Sequence, residues 1–197
     1  MSKIKVEKGS ISPAPVVIVS CSDGEKDDLA TVAYAGNFSS EPPYIYVSLS
    51  NESFAQKIIK KSGEFAVNLC DEKMLRAADI CGVYSGKTVD VWEKSGLTRI
   101  KANEIAAPVV DESPLSIECR LKDVLTFGEQ NVLIGEALCF DADESLIDEY
   151  GRFRIEKAGL LSYVNKNYLS IGEVLESMGF SVRRKSSGNR QKKVKNS

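Results

Sequence analysis

The sequence contains no histidine. That absence removes the commonest transition-metal ligand and the commonest general base, which argues against zinc hydrolases and Ser-His-Asp triads. It also contains no CxxC pair. The five cysteines, Cys21, Cys70, Cys81, Cys119 and Cys139, are scattered and mostly sit in apolar runs such as VIVSC and VNLC, so buried reduced thiols are expected. The two commonest phosphate loops, GxGxxG and the Walker sequence, are missing. No window approaches the roughly 20 consecutive apolar residues of a bilayer span. The opening MSKIKVEKGS lacks the apolar core of a secretory signal. A soluble, cytoplasmic protein without membrane contact is the expectation.

Acidic residues are absent from one stretch. Residues 181–197 carry Arg183, Arg184, Lys185, Arg190, Lys192, Lys193 and Lys195, which leaves 19 basic against 28 acidic residues before them. Such a composition buries too little apolar surface to offset its ordering entropy, so a disordered tail is expected. A solvated appendage is the simplest reading; a contact with nucleic acid or an acidic membrane surface is the other.

With 197 residues and 43% hydrophobic content, the chain has material for one sizeable core. We read one domain over residues 1–180 and the tail over 181–197. From residue 14 the pattern is β-rich: APVVIVSC, LATVAYAGNF and PYIYVSL are three strands separated by SDGEKDD and SSEPP. SFAQKIIKK, over 53–61, places Phe54, Ile58 and Ile59 on one helical face, with Gly63 positioned to end the helix. EFAVNLC reads as a buried strand. Asp71 suits the N-cap of a second helix, EKMLRAADIC, closed by Gly82, with Met74, Ala78 and Cys81 on one face. SGKTVDVWEKSG holds the only tryptophan, Trp92, in a short amphipathic helix that places Val89 beside it. PLSIECRLKDVLTFGEQNVLIGEALCFDAD reads as a hairpin turning near Gly128. Many strands with few helices imply a closed or partly closed barrel rather than a doubly wound sheet.

Candidate chemistry is concentrated in SLSNESFAQK. Ser48, Ser50 and Ser53 offer hydroxyls, and the start of the following helix offers free N–H groups that favour an anion. The serines serve equally as caps, and the two roles are compatible. Lys87, in a turn-rich stretch, could add a charge-assisted contact. Tyr34 and Tyr163 are amphipathic rings of the sort that pack on a planar ligand or in a core. Cys81 ends a helix, where the dipole disfavours a thiolate, so packing is the expected role.

Six segments carry a family likeness in order: PAPVVIVSC, DLATVAYAGNFSSEPPYIYVSLS, ESFAQKIIKKSGEFAVNL, CGVYSGKTVDVW, SPLSIECRLKDVLTFGEQNVLIGEA and LLSYVNKNYLSIG. Together they resemble the flavin-reductase-like, FMN-binding split-barrel family, which includes the flavoredoxins, over approximately residues 11–172. The resemblance implies a mostly β fold with short helices (α+β), an FMN-binding split β-barrel. It further implies a homodimer with one FMN per subunit near the interface. The cofactor's phosphate and ribityl chain would be held by regions matching Asp28–Tyr34 and Ser48–Gln56. The implied contacts in the first are Asp28, Ala30, Thr31, Val32, Ala33 and Tyr34, with N–H groups near Thr31–Ala33 on the ring edge. In the second they are Ser48, Leu49, Ser50, Ser53, Phe54, Ala55 and Gln56.

Lys87 matches the basic residue of the family's CGxxSG(R/K) segment, Gln130 falls where relatives often carry histidine, and Tyr163 lies in the closing aromatic region. The chain departs from the pattern with Asp28 where asparagine is frequent, Ala55 where threonine is frequent, and Gln130 itself. The implied activity is a flavin-dependent oxidoreductase. It passes electrons from NAD(P)H or a reduced redox-protein partner through FMN to an acceptor, with no metal and no obligatory acid or base. An electron carrier without nicotinamide activity and a binding module with a nucleic-acid-contacting tail are the alternatives.

Overall fold

The computed structural model describes residues 2–182. The expected tail lies outside the described residues, apart from Ser181 and Val182. In chain order the strands are β1 (Ala14–Pro15), β2 (Val17–Ser22), β3 (Asp27–Val32), β4 (Ala35–Ser40) and β5 (Pro43–Ser50), followed by helix α1 (Phe54–Ser62). Then come β6 (Glu64–Leu69), α2 (Leu75–Val83), α3 (Val91–Ser95), β7 (Arg99–Ile100) and β8 (Val109–Val110). The long strands β9 (Leu115–Phe127) and β10 (Gln130–Ala142) form the expected hairpin, and β11 (Leu161–Val164) and β12 (Asn167–Ser170) close the series.

A seven-stranded sheet runs in the order β3-β2-β6-β9-β10-β5-β4, a three-stranded sheet in the order β1-β11-β12, and β7 pairs with β8. Although β3 and β4 are consecutive in the chain, they occupy opposite edges of the large sheet. The sequence reading of LATVAYAGNF as one strand is therefore corrected. The run breaks at Ala33–Tyr34, where the chain crosses from one edge of the curled sheet to the other. Val32 is the last residue registered against β2 (opposite Val17), and Ala35 the first registered against β5 (opposite Val47). The barrel is split at this seam, and the sheet does not close.

The inner face of the sheet packs Val19, Val47, Phe65 and Leu133 against Ala55, Ile58 and Ile59 of α1. Alternation along β3 serves both sides. Ala30 and Val32 join this inner core, while Leu29 packs with Met74, Ala78 and Cys81 of the α2 region, Trp92 of α3 and Leu161 of β11. Ser53 caps α1 by accepting from the Gln56 N–H, and Gly63, at φ 77°, ends it in the left-handed conformation that glycine adopts without strain.

Two helix boundaries differ from the sequence reading. The Asp71 side chain does cap, but it caps a 3-10 turn over Glu72–Met74 that leads into α2. Gly82 does not close α2: it lies inside the last turn, and the extended Tyr84 forms the cap. Val89 packs on the same core as Trp92 yet precedes α3, whose cap is Asp90. All five cysteines are free, and all but Cys139 are buried. Among the described residues no helix is long and apolar enough to cross a membrane.

Candidate functional site

The seam of the split sheet opens into a cleft of about 740 Å³, within the size range of small-molecule and cofactor sites. Its floor is the edge strand β3 and the crossing, from Asp28 through Thr31 to Tyr34. One side is the end of β5 and the start of α1, with Ser48, Leu49, Ser50, Ser53 and Phe54. Gln130, paired in register with Ser50, reaches the same side from β10.

The polar end lies where α1 begins. The Ser53 hydroxyl accepts a long 3.5 Å bond from the Gln56 N–H and keeps its own proton to donate. Ser85 faces the cleft from the loop after α2. Between these elements sits Asp28, only 2% exposed. Its Oδ1 accepts from the Leu29 N–H and the Gly86 N–H, both at 2.9 Å. The Ala55 N–H at the start of α1 also stabilises the carboxylate, but burial outweighs these bonds and pushes its pKa up to about 6. A Cβ on Gly86 would stand 2.5 Å from this same Oδ1, so the close approach of the loop to Asp28 requires glycine. At the other end Ser48 Oγ donates to Gln130 Oε1 across 3.4 Å, which leaves the Gln130 amide donors free to face a ligand.

The opposite wall is aromatic. Tyr163 and Tyr168 meet edge to face, with centroids 5.7 Å apart, and the Tyr168 hydroxyl donates to Asp79 Oδ1 at 3.4 Å. Burial, with Asp79 adding to it, pushes the Tyr168 phenol up to about 12. Tyr84, with the Lys94 ammonium 4.3 Å over its ring, and the 62%-exposed Tyr34 flank the mouth.

Most of the residues named from sequence are thus brought together: Asp28, Ala30, Thr31, Val32, Ala33 and Tyr34; Ser48, Leu49, Ser50, Ser53 and Phe54; Gln130 and Tyr163. Three are not part of the wall. Ala55 is fully buried in the core. Gln56, 2% exposed, turns inward: its Nε2 donates to the Ser50 carbonyl at 2.9 Å and its Oε1 accepts from Asn131 Nδ2 at 2.8 Å. Lys87 is exposed and lines a neighbouring groove with Lys26, Asp27 and Arg99, one residue beyond the Gly86 that touches Asp28. Cys81 faces the cleft but is 3% exposed, and burial pushes its thiol up to about 12, in keeping with packing rather than reactivity.

Sequence reasoning missed Asp79, Tyr84, Ser85 and Tyr168. Tyr168 stands opposite Tyr163 in the β11–β12 register, so a hairpin reading of LSYVNKNYLS could have found it. Asp79 had no local signal. Among the described residues no lysine or arginine lines this cleft, whereas Asp28, Glu52 and Asp79 do.

The chain matches the flavin reductase like domain over residues 9–172. In the solved structures it is similar to the flavoredoxin of Desulfovibrio vulgaris (Miyazaki F), at a TM-score of 0.85 and 28% identity, covering 93% of this chain and 100% of that one. An uncharacterized protein of Aquifex aeolicus is 29% identical over 161 residues, 78% of this chain and 81% of the relative. The NADPH-flavin oxidoreductase of Streptomyces viridifaciens is 28% identical over 128 residues, 64% of this chain and 65% of that protein. A domain match spanning most of the chain, together with a split barrel superposable on a flavoredoxin, means that this chain belongs to the flavin-reductase-like family of FMN-binding proteins.

Proposed function

We propose that the chain is an FMN-dependent oxidoreductase whose flavin lies in the seam cleft, and which passes electrons from NAD(P)H or a reduced protein partner to an acceptor. The observation that carries this reading is the cleft itself: a broken edge strand, a helix start and an aromatic wall enclose one cavity in a chain of this family. The donor set fits a flavin mononucleotide. Ser50, Ser53, Ser85 and the N-terminal N–H groups of α1 suit a phosphate, the Gln130 amide and the backbone at Thr31–Ala33 suit the polar edge of the ring, and Tyr34 and Tyr163 suit its faces. Lys87, one residue beyond Gly86, lines the neighbouring groove and would have to swing out of it to add charge at the phosphate end.

Bound FMN supplies the redox chemistry, taking electrons from a donor and yielding them to an acceptor. The chain's own residues bind and orient. Thr31 anchors the floor to α2 by donating to the Ala78 carbonyl at 2.5 Å, and Tyr163 and Tyr168 shield one side from water. No side chain has to move a proton for this role.

A homodimer completes the proposal. Phe38 and Phe140, 62% and 53% exposed, flank a shallow groove with Pro43 and Ile45 at the β4 edge, a surface suited to a second copy. The reading that favours a reduced protein partner over NAD(P)H rests on Glu52 and Asp79, which face the cleft and oppose the phosphates of a dinucleotide. The absorption spectrum of the purified protein tests the cofactor, and flavin bands near one per chain are expected. Anaerobic addition of NADH or NADPH separates the two donors: bleaching marks a reductase, and an unchanged spectrum marks a protein-fed carrier.

A further inference from the structure

Asp28 joins three elements at one point. From β3 it accepts the Leu29 N–H, from the loop after α2 the Gly86 N–H, and at the start of α1 it is stabilised by the Ala55 N–H. These donors lie at the end of the cleft that suits a phosphate. The carboxylate is nearly inaccessible to water, and no lysine or arginine pairs with it among the described ion pairs. A phosphate seated against Ser50, Ser53 and Ser85 therefore meets a second anion competing for the same donor cluster. Two anions in one poorly solvated site raise each other's proton affinity.

We propose that Asp28 couples flavin phosphate binding to proton uptake: the neutral carboxyl admits the phosphate and the carboxylate opposes it, so FMN affinity falls as pH rises while riboflavin affinity does not. This inference rests on the flavin reading of the cleft and assigns Asp28 a role in sensing the phosphate within it.

The surrounding groups leave Asp28 as the one that responds. Cys21 of β2, whose Sγ donates to the Asp28 carbonyl at 3.8 Å, is pushed well up by burial, and Cys81 of α2 is pushed up to about 12. Asp27 is paired with Arg99 at 3.1 Å, and Asp23 with Lys61 at 2.8 Å. Glu52, before α1, and Lys87, after Gly86, are exposed. Asp28 itself, with its carboxyl raised to about 6 by burial, begins to lose its proton where physiological pH begins. An adjacent phosphate displaces that midpoint upward by on the order of one to two units. Over that window proton linkage makes the FMN dissociation constant rise by up to about tenfold per pH unit.

The test is a set of fluorescence titrations of FMN and of riboflavin from pH 5.5 to 8.5, on the full chain and on Asp28→Asn. The expected result for the unaltered chain is an FMN dissociation constant about five- to twenty-five-fold weaker at pH 8 than at pH 6, with riboflavin flat. In Asp28→Asn the FMN dependence should collapse, and FMN should bind more tightly than in the unaltered chain at pH 8. The second ionisation of the phosphate, near pH 6, is common to both proteins and cancels in the comparison. Calorimetry on the unaltered chain at pH 7, in two buffers of different ionisation enthalpy, supplies a measurement that does not depend on the variant folding: proton uptake should accompany FMN and not riboflavin. Equal pH profiles for the two flavins, a slope that persists in Asp28→Asn, or no proton uptake would overturn the coupling alone. Failure to bind either flavin would overturn the cleft assignment and the coupling with it.

Discussion

At the residue scale, the missing histidine has a practical use, because no imidazole titrates near neutral pH to mask a raised carboxyl there. Asp28 is such a carboxyl, with a folded pKa of about 6 against an ordinary 3.8. The sign follows from its being raised. Below the unfolded value the proton is held in both states and nothing is lost; as pH climbs from 3.8 through 6 the buried group must ionise, and stability falls. At 1.36 kcal/mol per unit, the loss is about 2–3 kcal/mol across that interval. Asp28→Asn should therefore be more stable than the unaltered chain at pH 7.5 and lose that advantage at pH 4, as read by urea midpoints at the two values. An advantage that is independent of pH would contradict the assignment. Gly86→Ala, which drives a methyl into Asp28 Oδ1, should cost about 1–3 kcal/mol and weaken FMN binding together, in parallel melting and titration experiments. Caps such as Ser53 and Asp71 were legible because their partners are two or three residues away. Asp79 was not, because its meeting with Tyr168 depends on how β12 lands beside α2.

At the scale of elements, the β9–β10 hairpin and α1 were readable from periodicity and their turn glycines, and the seam was not. Alternating β-type residues run through LATVAYAGNF without a glycine or proline at Ala33–Tyr34, so nothing local separates one strand from two. The break is imposed by the curl of the sheet, which needs its consecutive strands on opposite edges. Gln56 shows the same limit in the other direction. Sequence likeness drew it into the ligand set, yet helical phase turns it inward to staple the end of β5 to β10 through the Ser50 carbonyl and Asn131. Gln56→Ala should strand both partners and destabilise the chain by about 2–4 kcal/mol, seen as a lowered denaturant midpoint, with flavin loss secondary to loosening of the β5–α1 passage. A variant with unchanged stability and weakened flavin would return Gln56 to the cleft.

At the scale of the whole molecule, the open edges and the exposed Phe38 and Phe140 suggest that one copy is an incomplete unit. Light scattering should give about twice 21.6 kDa, and Phe38→Asp should move the mass toward one copy by placing a charge in the apolar contact; a single-copy mass for the unaltered chain would remove the dimer. The pairing of β1 with β11 has a consequence for how this molecule is made. Ala14 stands opposite Tyr163 in register, so segments from opposite ends of the described chain zip together. Tyr163 also belongs to the cleft wall. During synthesis the floor and the start of α1 emerge early, but the aromatic wall arrives only once nearly all of the described chain has been translated. A contact spanning that sequence distance forms slowly. A nascent chain therefore holds an unwalled cleft, and capture of flavin becomes a late event, tied to completion of the polypeptide rather than to the folding of the large sheet.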